Sequence, residues 1–551
     1  MTSISPQTRP SPDSRPRMLQ AAGIWSLLFA SLTAIIGSGW LFAPLNAARQ
    51  AGPASVFSWL IGAVAVLLLA FVNAELSTAF PRMGAAISFP KLSHGDLLAV
   101  VMSWMVLLGY AGVGPSEVLA VVTYANNYIP GLVHSHSHLL KPLGFAVSVV
   151  LLGGFVLINA LGVKLMLRVG NTVMIWKLLV PALTAIALLS MAFHGANFHA
   201  RGFAPMGVKG MVGAVAGSGI VFSFLGFRQA IELSGEARRP QRDLPIAIVG
   251  SVLFAALLFI VLEVAFVGAV RPGDLAAGGW SSLRFAGSAG PFAGLAMLAG
   301  MSWLAALLYV DAVVSPAGTS LTYMGTTARV IYASGREGLG FAWLGTLNSR
   351  GVPRAGLWVT WIAGVLFFLP FPSWQKIVTF LSSAMVLGYG AGPVALMTLR
   401  RTLPISQYKR PFTLRGAGLW APLAFIISNF IIYWSGRRID DFLFGALALM
   451  FLVYAATKAA QGLLADLDWA GAWWLLPYFL GMWAITHFGP HDAVIHGVGL
   501  YGFYTGMGMV ALLSLVVLWL AVLSGLPDPM EARYAMRSRE MAIEVESAHR
   551  I

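Results

Sequence analysis

The sequence predicts an all-α, polytopic membrane protein. Of 551 residues, 58% are apolar and only 10% are charged, and the mean hydropathy is +0.78. A soluble domain carries about 25% charged residues, so this chain cannot cover a water-facing surface. A helical span uses about 20 apolar residues, and the apolar content supplies many. Helix is dictated by the lipid, since only helices and closed barrels satisfy the backbone there. The apolar runs are too long and unbroken for barrel strands.

About fourteen apolar segments follow in order: 24–46, 53–79, 97–127, 143–163, 170–192, 210–234, 244–270, 290–325, 355–371, 375–399, 418–436, 442–460, 471–488 and 500–524. Residues 1–20, rich in Ser, Pro and Arg, have no apolar core and read as a short tail, not a signal peptide. With the N-terminus in the cytoplasm, most of the 35 Lys and Arg fall on the cytoplasmic side. The clearest such loop follows the tenth segment and holds Arg400, Arg401, Lys409, Arg410 and Arg415. An even number of spans returns the C-terminal tail, with Arg533, Arg537, Arg539 and Arg550, to the same side. The net charge of +14 is therefore a loop property and does not point to nucleic acid. The absence of cysteine excludes disulfides, thiol chemistry and Cys-ligated metals.

Two segments carry breaks. The first contains IIGSGWLFAP, with Ile36, Gly37, Ser38 and Gly39 at mid-span. Glycine weakens a helix, and Ser offers competing local hydrogen bonds. Backbone groups freed at that depth must line a cavity or be buried in protein. The N–H groups at a half-helix N-terminus hold an anion, so a substrate carboxylate is expected near Ser38 and Gly39. The sixth segment contains GSGIVFSFLGFRQAIELSGEARRPQRDLP, Gly217 to Pro245. Here the interruption is expected at Gly226, after Phe222, Ser223, Phe224 and Leu225. Carbonyls freed there would accept from a substrate amino group. Two interrupted spans five helices apart point to an inverted repeat with a site at the midplane.

IIGSGWLFAP, GPASVFSWLIG, the Ala74–Ala85 run, FSFLGFRQAIELSGEARRPQRDLP, TTARVIYASGREG and RGVPRAGLW together resemble the amino acid–polyamine–organocation transporters. GSGWLFA, LPFPSW, IIYWSG and AWWL are most similar to the bacterial aspartate–proton symporter group. The resemblance covers most of residues 20–525. It implies a LeuT-like 5+5 inverted repeat over 21–400, in halves 21–195 and 205–400. Peripheral helices over 401–525 and a cytoplasmic tail over 526–551 would follow. It also implies a multi-pass protein of the bacterial inner membrane, with substrate held between the first and sixth spans.

Ionisable residues within spans are costly, about 2.5–3.5 kcal/mol each on insertion scales, and mark function or a paired structural group. Lys177 in the fifth span can exchange a proton from a buried site, or snorkel to the interface. By resemblance it matches the lysine that replaces sodium in sodium-independent members, reaching the first-span break near Gly37 and a polar group of the eighth span. Asp311, with Ser315 one turn on, either relays protons, binds a cation or pairs statically. Glu117 follows Pro115 and either couples protons or donates to a carbonyl freed by the kink. Glu263 and Glu75 are weaker candidates, and Glu75 reads as structural. Arg228 either pairs with an acidic substrate side chain or closes an inner gate with Glu232 or Glu236. Phe222 or Phe224 is expected to line the site.

His134–His138 and the set His487, His491 and His496 read as polar loops, with no metal expected. The Gly502–Gly506 pair is a weak helix-contact signal. No phosphate loop or hydrolase signature appears, so ATP-driven pumping and enzyme activity are not expected, and neither is a cofactor. The expected function is proton-coupled import of amino acids, acidic ones by resemblance. The rival is exchange or efflux of amino acids or amines without net proton coupling. The side-chain specificity and oligomeric state are not legible.

Overall fold

The computed structural model describes residues 22–527, apart from 83, 135–138, 162, 277, 285–289, 337–338, 349–350, 372, 407, 409 and 466, together with residue 533. The tail over 1–20, nearly all of 526–551 and most of the His134–His138 loop lie outside the described residues.

Each of the fourteen apolar segments is helical. The first holds α1 (Ile24–Ile35) and α2 (Gly39–Ala51). There follow α3 (Ser55–Ala79), the short α4 (Ala85–His94), α5 (Asp96–Ala125), α6 (Pro142–Leu161) and α7 (Val163–Met191). The sixth segment holds α8 (Gly207–Gly217), α9 (Ile220–Phe224), a 3₁₀ turn over Leu225–Arg228 and α10 (Gln229–Glu232). Next come α11 (Pro240–Ala269), the short α12 (Pro272–Ala276), α13 (Pro291–Leu298), α14 (Ser302–Arg336) and α15 (Arg354–Phe367). The chain continues with α16 (Trp374–Tyr389) and α17 (Ala391–Thr402). The last segments are α18 (Ala417–Ser435), α19 (Arg437–Ala460), α20 (Trp469–Ala472), α21 (Leu475–His487) and α22 (Phe503–Ser524).

Among the described residues, ten helices are long and apolar enough to cross a membrane by themselves, or eleven if the bent pair α8–α10 is one span. Length and composition alone thus pick out fewer helices than the fourteen segments, because some segments are broken or short. The first segment is divided, and its second half meets α3 at a turn over Gly52–Ala54. Helices α15 and α21 have 14 and 13 residues, short of a full span each.

The face where the described chain begins is called the near face. There Ala22 pairs with Glu236 and Arg238, and the Ser234 hydroxyl bonds the Arg82 carbonyl. At the far face, Arg49 bonds the Leu283 carbonyl and Ala54 N–H bonds the Phe203 carbonyl. The two broken segments form the centre: α1 packs on α7, α11, α14 and the Leu225–Arg228 turn, and α2 packs on α8 and α9. The outer surface is apolar, with Leu157, Ile186, Leu257 and Leu452 exposed. That is the composition a lipid-facing wall requires.

The last helices attach at the side. Asn429 of α18 bonds Ser514 of α22 and accepts from Tyr478 of α21, while Ser383 of α16 bonds Ser435. At the near end of α3, the buried Glu75 carboxylate takes Arg400 through two contacts at 2.9 and 2.6 Å and the Leu414 N–H at 2.7 Å. Arg410 approaches it at 3.5 Å and is itself almost wholly buried. Removing one partner of a buried ion pair costs about 3–5 kcal/mol. Glu75→Ala is therefore expected to lower the thermal unfolding temperature of the detergent-purified protein. An unfolding curve matching the parent would contradict a clamp at this point.

Candidate transport site

The first break spans Ile36, Gly37 and Ser38, between the end of α1 and the start of α2. The C-terminus of one half-helix and the N-terminus of the other face each other across three residues, which places opposite partial charges side by side. The second break lies at Ser218–Gly219, where the chain bends by 49°. Gly219 has φ 97°, a conformation that glycine adopts without a Cβ clash.

This corrects the expected position. At Gly226 the chain is a tight 3₁₀ turn, and Phe222, Ser223 and Phe224 belong to the helical stretch α9. Gly226 is instead a contact glycine, because a Cβ there would collide with the backbone of Ala34 and Ile35. Gly39 likewise leaves room for Ser223, whose hydroxyl returns to the Gly219 carbonyl at 2.8 Å. The Leu225 carbonyl already accepts the Tyr389 hydroxyl at 3.3 Å.

Between the two breaks lies a small enclosed cavity. Ala34 and Ile35 of α1 form one wall, and Phe222 and Leu225 form another. Val113, Glu117, Tyr323 and Met385 complete it. Its free interior is ≈ 10 Å³, room for about one water molecule. Aromatic rings cover it toward the far face. Trp374 stacks on Phe42 at 5.0 Å, meets Phe222 edge-on at 6.2 Å and donates to the Ser38 hydroxyl at 2.7 Å.

Toward the near face the cover is polar. Arg228 bonds Glu232 through Nε at 3.3 Å and lies 4.6 Å from the centre of the Tyr389 ring. Tyr110 donates to Glu232 at 3.4 Å and sits edge-on to Tyr323. Of the two readings of Arg228, the observed contact is the one with Glu232.

The ionisable residues gather on the first break. Glu117 Oε2 accepts the Ser38 N–H at 2.7 Å, and Oε1 has no partner among the described residues. The backbone donor expected to hold a substrate carboxylate is thus held by a carboxylate of the protein. The Pro115 kink does not serve as its partner. On the other side of the same break, Lys177 Nζ donates to the Thr33 carbonyl at 2.7 Å and to Thr319 Oγ1 at 2.6 Å. Lys177 is fully buried, so it does not snorkel. Thr319 lies 3.1 Å from the Thr33 carbonyl and 3.3 Å from that of Ile36, which joins α7, α14 and α1 at one point. Asp311, higher on α14, accepts from Trp176 at 2.8 Å and Ser315 at 2.6 Å.

Other candidates lie elsewhere. Glu263 accepts from Trp59 at 2.9 Å between α3 and α11. Phe224 packs against Trp59 and Phe259, away from the cavity, and Phe227 against Tyr389. His487 approaches Asp441 and His491 bonds the Gly497 carbonyl, both at the edge of the peripheral helices.

Trp374, Phe42, Thr319, Tyr110 and Tyr389 are site residues that the sequence did not single out. Thr319 had a signal, since Asp311, Ser315 and Thr319 follow at i, i+4 and i+8. Trp374 stood in LPFPSW, legible only as a family mark.

A comparison with known families matches residues 23–460 to the amino acid permease model. The chain belongs to the amino acid permease family, among the amino acid–polyamine–organocation transporters. It is 34% identical to the aspartate-proton symporter of Bacillus subtilis, over 92% of this chain and 97% of that protein. It is 35% identical to the glutamate/serine transporter AimA of the same organism, over 91% and 93%. The branched-chain amino acid permease BcaP of Lactococcus lactis is 28% identical over 71% of this chain. This permease is a multi-pass membrane transporter of amino acids and not an enzyme.

Proposed function

We propose that this permease imports an acidic amino acid together with a proton, across the inner membrane of a bacterium, with both termini in the cytoplasm. One observation carries the reading: Glu117 occupies the N-terminus of α2 within the cavity. A substrate α-carboxylate entering from the far face takes the Ser38 N–H, where the half-helix dipole favours an anion. Two carboxylates cannot share that donor as anions, so Glu117 must take up a proton as it withdraws. The substrate ammonium finds the negative end of α1 at Ala34 and Ile35. Lys177 ties the same break to α7 and α14 and gives the second protonation switch. Opening then alternates between the Trp374–Phe42 cover and the Arg228–Glu232 cover as the helices rock.

The preference for an acidic side chain rests on Arg228. None of the described wall residues is a cation, and Arg228 lies just beyond Leu225 toward the near face. A side-chain carboxylate reaching past Leu225 would replace Glu232 on the guanidinium and gain a fork contact. The names of two relatives, one for aspartate and one for glutamate and serine, support this preference.

The test is uptake of radiolabelled aspartate into liposomes holding the purified protein. Unlabelled glutamate is expected to compete and leucine is not. Uptake of leucine with none of aspartate would overturn the acidic preference. Aspartate exchange indifferent to an imposed pH difference would replace symport with exchange.

A further inference from the structure

Asp311 plays no part in holding the substrate, yet it is fully buried in a span. Its Oδ1 is well supplied, with Trp176 and Ser315 both donating. Its Oδ2 has no partner among the described residues. A carboxylate left half-satisfied inside a membrane is expensive, and it asks for a proton. Helix α14 starts at the far face, so Asp311 stands two turns farther out than Thr319, about 12 Å along the axis. Asp311, Ser315 and Thr319 share one helical face, and Thr319 touches Lys177 Nζ. Trp176, the donor to Asp311, is the chain neighbour of Lys177, so α7 holds both groups in fixed relation.

Outward of Asp311 stand Tyr124, also buried and with no hydroxyl partner among the described residues, and Tyr309, whose partly exposed hydroxyl bonds Asn127 at 3.2 Å. The titratable groups facing Asp311 are Lys177 from α7 and Tyr124 from α5.

We propose that Asp311 is the proton relay on the far side, which loads Lys177 through the hydroxyl face of α14. A proton from far-face water bonds to Oδ2 and makes the neutral acid. The carboxyl then turns its proton toward Ser315, whose hydroxyl rotates away from Asp311 and gives its own proton one turn down at Thr319. Thr319, whose hydroxyl otherwise donates to the Thr33 carbonyl, turns to the neutral Lys177 amine and hands on its proton, and the amine becomes the ammonium. Asp311 returns to the carboxylate, both hydroxyls are restored, and one proton has moved inward. This deepens the symport reading and rests on it.

The test is Asp311→Asn, which keeps an acceptor for Trp176 and Ser315 but cannot carry a proton. Exchange of labelled for unlabelled aspartate at equal pH should match the parent. Accumulation driven by an imposed pH difference should fall about tenfold or more, as for the loss of one acid–base group. Accumulation equal to the parent overturns the relay. Should D311N fail to fold, Ser315→Ala carries the same test, since it keeps the carboxylate and removes the next hydroxyl. A substrate-free readout separates this proposal from the symport reading. The infrared carboxyl stretch of the purified protein should lose one titrating buried acid in D311N. An unchanged titration overturns the relay even if aspartate proves not to be the substrate.

Discussion

Glu117→Gln should still exchange labelled for unlabelled aspartate but accumulate much less of it when the outside is made acidic. Glutamine is nearly isosteric and its Oε1 can accept the Ser38 N–H, so the break between α1 and α2 keeps its shape. What is lost is the charge. In the parent, a substrate carboxylate displaces an anion from a donor in a site that admits about one water. At that depth, neutralising Glu117 is the low-energy way to make room. With Gln the displacement needs no proton, so substrate binding loses its dependence on external pH. Initial rates and steady-state accumulation in liposomes, with and without an imposed pH difference, check this. Gradient-driven accumulation by E117Q equal to that of the parent would remove Glu117 from coupling.

Lys177→Met should have the second large effect, of a different kind. The amine bonds the Thr33 carbonyl and Thr319 and so pins α1 to α7 and α14. Methionine fills a similar volume, and Thr319 still satisfies the Thr33 carbonyl at 3.1 Å. The fold should therefore survive, with a modest fall in unfolding temperature. Hydrogen bonds to a charged group contribute about 1.5–3 kcal/mol. If that tether exists in one orientation of the carrier and not in the other, losing it shifts their ratio by about 10- to 100-fold. Transport should drop by a similar factor in both uptake and exchange, which distinguishes K177M from E117Q. A variant that loses uptake but exchanges normally would place Lys177 in proton coupling alone and not in the tether.

The first break was legible because Gly37, Ser38 and Gly39 interrupt an otherwise apolar run, a local conflict that no packing partner is needed to explain. The second was legible in kind but not in place. Gly219 and Gly226 look alike in the sequence. One is glycine for its positive φ, the other for the backbone of Ala34 that presses on it. Only the paired segment distinguishes them. That Lys177 would approach the first break and a polar group of the eighth segment followed from a resemblance, since nothing in local spacing joins it to Thr319, 142 residues on. Trp374 had no signal beyond that family mark, because its partners Ser38, Phe42 and Phe222 lie on both broken segments. Segment length was less legible than segment position. Hydropathy marks where apolar residues run, but a helix of 13 or 14 residues reads the same as a span until its ends are seen.

Proton movement itself gives the most direct test. Purified protein is sealed in liposomes with a pH-sensitive dye inside, the membrane potential is clamped and no pH difference is imposed. Adding aspartate outside should acidify the interior in fixed proportion to the labelled aspartate that enters, and E117Q should take up label with less acidification per aspartate. Entry of aspartate into parent liposomes with the interior pH unmoved would mean that Glu117 leaves the Ser38 N–H without a proton, and that substrate and proton are not coupled.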